Sequence, residues 1–90
     1  MSTIVRTAEE IDEQIRRGEI WTEKHPRSFF GDDNKAQFRV TRAVLELAKA
    51  RKSFSEIEEQ IEQLSDEDYS AANKALSWLS GDEEEIYSKE

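Results

Sequence analysis

The sequence predicts a small, mainly α-helical domain of four helices. Two observations predict it: four stretches place apolar residues three and four positions apart, and a helix-capping Ser, Thr or Asp precedes each of them. Leu, Ile, Val and Phe supply only 19 of the 90 residues, so the core is thin. We expect a single domain with an N-terminal helix and aromatic loop (1–33), a helical core (34–81) and an acidic tail (82–90).

The first helix is predicted over residues 8–17. Thr7 and Glu10 have the spacing of a capping box, in which each side chain accepts a hydrogen bond from the other residue's backbone N–H. A narrow apolar stripe follows, which indicates that the helix lies on something larger. Gly18 is predicted to end the helix, because glycine is common just past helix ends.

Residues 19–33 break the helical pattern, with Glu19–Thr22 as a short extended piece. Pro26 supports this interpretation, because the residue before a proline disfavours helix. The loop carries three large aromatic residues, Trp21, Phe29 and Phe30. They either cap an undersized core or form an exposed anchor for a partner.

The longest helix is predicted over residues 34–52, with Asp32, Asp33 or Asn34 as its cap. Apolar side chains cover most of its circumference, which predicts a central helix with neighbours on several sides. One arc is basic, and we call it the basic seam: it consists of Lys35, Arg39, Arg42 and Lys49.

Ser53 or Ser55 is predicted to cap a third helix, and Ser65 a fourth that ends near Gly81. Trp78 is placed at the edge of the fourth helix's apolar face. Seven acids lie on the third helix and the first turn of the fourth. We call them the acidic face: Glu56, Glu58, Glu59, Glu62, Asp66, Glu67 and Asp68.

The order of these elements resembles a winged helix-turn-helix domain over residues 40–87. TRAVLELA (41–48) is similar to its first helix, and SFSEIEEQI (53–61) to its short second helix. Residues 65–79, which end in ALSWL, are similar to its recognition helix, and EIY (85–87) to the start of a wing strand. The resemblance implies a helix-turn-helix-like C-terminal half and leaves room for a short rudimentary β-ribbon.

The acidic face departs from a DNA-reading surface, because its carboxylates repel phosphates where a recognition helix meets DNA. The net charge is -8, and residues 53–90 alone hold 12 acids and two bases. We therefore predict an acidic interaction and regulatory module whose partner is a protein with a basic surface, which includes nucleic-acid-binding proteins. Trp21, Phe29, Phe30 or Trp78 would supply the buried anchor. A homodimer, with the basic seam of one copy against the acids of another, is a variant of this hypothesis.

Two other functions are consistent with the charges. Carboxylates displayed on helices can imitate rows of phosphates, as small phage or plasmid inhibitors of DNA- or RNA-binding proteins do. The basic seam could instead bind DNA directly. We favour the interpretation that the seam pairs with acidic helices of the same molecule, because the overall charge opposes approach to a polyanion.

The sequence does not predict an enzyme. There is no cysteine, His25 is the only histidine, and the three glycines are far apart, so no catalytic group, phosphate loop or cofactor site is predicted. Asp32 and Asp33 beside His25 make a weak metal set, and helix capping explains them. No apolar run exceeds three residues, which excludes a membrane span, and we expect a cytoplasmic protein.

Overall fold

Four helices and no strand make up the described part of the chain. The computed structural model describes residues 3–27, 31 and 33–87. The helices are α1 (Ala8–Lys24), α2 (Asn34–Lys49), α3 (Phe54–Ile61) and α4 (Asp66–Leu79). The predicted four-helix, all-α architecture is confirmed. Phe29, Phe30 and Asp32 lie outside the described residues.

Each helix begins at a capping side chain that the sequence identifies. At Thr7 the full capping box is present: the backbone N–H of Glu10 donates to Thr7 Oγ1 at 3.2 Å, and the backbone N–H of Thr7 donates to Glu10 Oε1 at 3.0 Å. Asp33, Ser53 and Ser65 accept in the same way from the third residue of α2, α3 and α4. Local capping chemistry therefore sets where every helix starts.

The predicted end of α1 at Gly18 is wrong, and so is the extended piece over Glu19–Thr22. The helix continues to Lys24, and the backbone N–H of His25 still donates to the carbonyl of Trp21 at 2.8 Å. Pro26 is what stops it, because a residue before proline avoids helical dihedrals. Gly18 is a buried position inside the helix, where the chain needs a small residue rather than a turn.

The core surrounds α2, which packs mainly against α4 and α1. Leu45 of α2, Ile57 of α3 and Leu79 of α4 are fully buried, and α1 contributes Ile11. Trp78, which the sequence places at the edge of the α4 apolar face, is also in this core, at 2 % exposure. All four helices thus share one core.

The structure does not contain the expected β-ribbon within residues 3–27, 31 and 33–87. An isolated bridge between Arg27 and Asp33 is the one strand-like pairing recorded there. Residues 82–87 run back over α1 instead, and the buried Gln14 side chain holds them. Its Oε1 atom accepts from the backbone N–H groups of Ile86 at 3.3 Å and Tyr87 at 2.9 Å. The described part of the chain has no strand beside this segment, so the Gln14 side chain supplies the acceptor that a neighbouring strand would supply in a sheet.

None of the described helices combines the length and the apolar character that a bilayer crossing requires.

Candidate protein-interaction surface

The acidic face is a solvent-facing surface in the folded chain. Six of its seven residues are exposed, and Asp68 is half-buried. Ser53 and Ser65 explain part of this placement, because each cap begins a helix whose first turn is acidic. Carboxylates are favoured there by the helix dipole. The sequence thus produces a fixed display of negative charge rather than a flexible acidic tail.

The carboxylates of the acidic face make no ion pair with any residue in the described part of the chain. The acids of α1 differ. Hydrogen bonds from Arg16 and Arg17 lower the pKa of Glu13, and the backbone N–H of Thr7 lowers the pKa of Glu10. Among the described residues, four of the six α1 acids therefore have a cationic partner, whereas the carboxylates of the acidic face have none.

The basic seam is half neutralised within the molecule. Arg42 lies 3.3 Å from Glu19 Oε1 and 3.2 Å from Glu46 Oε1, and Lys49 Nζ lies 2.6 Å from Asp12 Oδ1. These pairs link α2 to α1 and to itself. The expectation that the seam pairs with the acidic helices of the same molecule is wrong as to the partners, because Arg42 and Lys49 pair with carboxylates of α1 and of α2 itself rather than with α3 or α4.

Lys35 and Arg39 complete the seam and are exposed. No ion pair holds either of them to another residue of segments 3–27, 31 and 33–87. They lie four positions apart on α2 and so share one side of the helix. Two adjacent cations form a much smaller basic surface than the seam that the sequence predicts.

The predicted aromatic anchors do not form one exposed cluster. Trp78 is buried in the domain's own core, and its indole N–H donates to the carbonyl of Glu84 at 3.2 Å. Trp21 is half-buried on α1, with its ring 5.3 Å from His25 and 5.9 Å from Tyr87. Of the four, Trp21 is the described residue that stays partly exposed.

Sequence reasoning missed an open apolar groove between α2 and α3, with a volume of about 270 Å³. Ala43 in it is exposed, whereas Val40, Leu47 and Leu64 are half-buried and pack on the core from one side. The groove lining consists of Arg39, Val40, Ala43, Val44, Leu47, Gln60, Ile61 and Leu64. The available signal was the wide apolar arc of α2, more than a single eight-residue α3 can cover.

A second cavity of about 480 Å³ lies where α1, α2 and α4 meet the C-terminal segment. Trp21 and Tyr87 supply aromatic edges, and Thr41 and Lys74 supply polar groups. Across residues 3–27, 31 and 33–87, no group of three His, Asp or Glu side chains is placed to hold a metal ion. In this cavity the hydroxyl of Thr41 donates to the backbone carbonyl of Gln37 at 3.1 Å.

Comparison with known proteins returns no match: no family model, no curated protein and no solved structure is similar to the chain.

Proposed function

We propose that the chain is a small non-enzymatic interaction module whose acidic face binds a basic surface on a protein partner. The observation that carries the proposal is the uncompensated charge of α3 and the first turn of α4. Seven carboxylates are held on rigid helices, and no described cation neutralises them. Such a surface raises the rate of encounter with a positive partner and disfavours negative ones.

The acidic face gives specificity and fast association, but exposed charges alone supply little affinity. Affinity requires apolar surface that can be buried. The α2–α3 groove offers it on the same side of the domain as α3, with Ile61 and Leu64 on the α3 side of the groove. The combination of an acidic helix and an adjoining apolar groove therefore supports a binding function better than either feature alone.

A nucleic-acid mimic is the second candidate, and the fixed helical display of the carboxylates favours it. In this candidate the partner is itself a DNA- or RNA-binding protein, and the acidic face occupies its phosphate-binding groove. The two functions differ in one consequence, because a mimic and nucleic acid exclude each other from the partner.

Direct DNA binding through the basic seam is less well supported. Arg42 and Lys49 already contact Glu19 and Asp12, so a phosphate would have to displace both carboxylates. Lys35 and Arg39 alone would give a shallow dependence of affinity on salt, since that dependence scales with the number of phosphates neutralised.

The test is affinity capture from lysate of the protein's own source, before and after nuclease treatment. Three baits are compared: the wild-type chain, an acidic-face variant and a matched control variant with four neutralised glutamates elsewhere. The acidic-face variant carries Glu56→Gln, Glu58→Gln, Glu59→Gln and Glu62→Gln. The control carries Glu9→Gln, Glu23→Gln, Glu83→Gln and Glu84→Gln.

We expect a protein that resists nuclease, binds the wild-type and control baits, and is lost from the acidic-face variant. Equal capture by all three baits would overturn the proposal. Loss of every captured protein after nuclease would instead indicate nucleic-acid binding. If the captured partner releases the chain when DNA or RNA is added, the mimic becomes the function.

A further inference from the structure

We propose that the α2–α3 groove is a docking site for a basic amphipathic helix of the partner protein. The inference rests on the proposed function and names the chemistry of the partner. It is carried by the groove's dimensions, by the accessibility of its apolar lining and by the charge beside it.

The groove has the length that a docked helix needs. Val40, Ala43 and Leu47 line it at intervals of three and four residues, so it follows about two turns of α2, roughly 10 Å. A helix that lies in such a groove inserts apolar residues at positions i, i+4 and i+7. The volume of about 270 Å³ is open on the outer side, where no described segment crosses it.

The lining side chains have an accessible outer surface. Val40, Leu47 and Leu64 pack against the core on one side and remain half-exposed on the other, and Ala43 is exposed. Ala43 also leaves a shallow step between the larger Val40 and Leu47. A leucine or isoleucine from a partner helix can fill this step and bury apolar surface on both molecules.

The charges around the groove favour a basic occupant, because α3 and its C-cap carry four exposed carboxylates and Arg39 is the one cation among the lining residues. Glu56 precedes Gln60 by one helical turn, so it shares the side of α3 that borders the groove. Neither Glu56 nor Glu59 has an ion-pair partner among the residues that the structure describes. Lysines or arginines that flank the apolar stripe of a docked helix would meet these carboxylates. A second copy of this chain fits less well, because two molecules of net charge -8 repel each other.

The test uses a synthetic helical peptide with a leucine stripe at i, i+3, i+4 and i+7 and lysine at the other positions. One control peptide replaces the lysines with glutamate, and another scrambles the leucines so that they form no stripe. Each is titrated into the ¹⁵N-labelled full chain, and amide shifts are followed by NMR. We expect the lysine peptide alone to shift the amides of Val40, Ala43, Leu47, Ile61 and Leu64.

Two variants of the chain locate the site. Ala43→Arg places a bulky cation in the groove, and Asn73→Arg adds the same charge to an exposed position of α4. We expect Ala43→Arg to weaken binding of the lysine peptide at least about tenfold, equivalent to about 1.4 kcal/mol. Asn73→Arg should have a much smaller effect. Circular dichroism establishes that both variants retain their helices.

The outcomes separate this inference from the proposed function. Shifts confined to the acidic face, equal binding of the scrambled peptide, equal binding by Ala43→Arg or no shift at all would each overturn the docking site. None of these affects the lysate experiment, which judges the acidic face by itself. If sedimentation shows a dimer that Ala43→Arg dissociates, the groove belongs to a second copy and the proposal is wrong.

Discussion

Tyr87 lies so close to Gly18 that a β-carbon at the glycine would be 2.6 Å from Tyr87 Cε2. Phe38 closes the same space from α2, and its Cε1 atom would lie closer still to that β-carbon. The two rings meet edge to face, with centroids 5.8 Å apart. A missing side chain on α1 therefore lets α2 and the C-terminal segment approach the same turn of helix.

We expect Gly18→Ala to destabilise the chain, although alanine is the better helix former. The gain in helix propensity is about 1 kcal/mol. Against it stands a steric overlap with two rings, and overpacking of this kind costs about 1–3 kcal/mol. The net loss in the free energy of unfolding is thus up to about 2 kcal/mol, measured by urea denaturation.

The control for Gly18→Ala is a substitution to alanine at an exposed position of the same helix. Glu23→Ala changes an exposed position near the end of the same helix. Its effect should stay within about 0.5 kcal/mol. If Gly18→Ala instead raises the stability, the rings have moved away at no cost and the close approach does not constrain the fold.

The sequence predicts helix starts better than helix ends. A helix start depends on the capping side chain and on the N–H group two or three residues later. A short stretch of sequence is therefore enough to identify the four caps, which are Thr7, Asp33, Ser53 and Ser65. The role of Gly18 depends on Phe38 and Tyr87, which are 20 and 69 positions away. Glycine past a helix end and glycine under a packed ring look the same in a sequence.

The sequence also predicts one part of the candidate site, the acidic face, but not the groove or the burial of Trp78. Exposure of the acidic face follows from its composition, since α3 has only one apolar stripe. The groove could not be predicted, because it depends on how much of α2 the neighbouring helices leave uncovered. The burial of Trp78 depends on residues 83–84 folding back to accept its indole N–H and the guanidinium of Arg6.

Gln14 should be the residue that holds the C-terminal segment on α1. Its Oε1 atom accepts from the backbone N–H groups of Ile86 and Tyr87. Gln14→Leu preserves the apolar packing but leaves both donors without this acceptor, which costs about 1–3 kcal/mol if they remain buried. We expect faster hydrogen exchange at these two amides, measured by NMR. Unchanged exchange there would show that the other contacts of the segment, which include hydrogen bonds from Arg17 and Trp78, hold it without Gln14.

The stability of the chain should fall in alkaline solution through Tyr87. Burial raises the pKa of its phenol above the ordinary value of 10.0, and a hydrogen bond with Thr41 acts weakly in the opposite direction. A raised pKa in the folded chain means that folding favours the protonated phenol. This contribution is complete below pH 10.0 and is lost as the pH rises through the higher folded value.

Tyr87→Phe isolates this contribution, because phenylalanine keeps the ring and lacks the ionisable group. We expect the stability of the wild type to decline relative to Tyr87→Phe above pH 10.0, in urea denaturation at a series of pH values. A constant difference between the two proteins across that range would contradict the buried position of the phenol.

The capping box should be visible in the titration of Glu10. The backbone N–H of Thr7 is the largest cause of the lowered pKa of Glu10, and the Thr7 side chain and Arg6 lower it further. Its contribution to stability is present above the ordinary value of 4.5 and is lost as the pH falls through the lower folded value. Thr7→Gly removes the capping side chain, so the backbone N–H at position 7 is no longer held against the Glu10 carboxylate. We therefore expect the pKa of Glu10 to rise toward 4.5 in ¹³C NMR titrations. Glu13, which Arg16 and Arg17 hold, should keep its lowered pKa as the internal control.

Neutralising the acidic face should leave the fold intact. Its carboxylates contact no cation in the described part of the chain, so Glu56→Gln, Glu58→Gln, Glu59→Gln and Glu62→Gln together remove repulsion and break no ion pair. We expect an unchanged or higher free energy of unfolding in low salt. Any gain should be smaller in 1 M salt, because salt already screens the repulsion between the carboxylates of the wild type.

The matched comparison is Asp12→Asn with Glu19→Gln, which breaks the exposed pairs to Lys49 and Arg42 and should cost up to about 1 kcal/mol for each pair. If the α3 variant is the less stable of the two, its carboxylates have structural partners, and the surface that carries the proposed function is not free to bind.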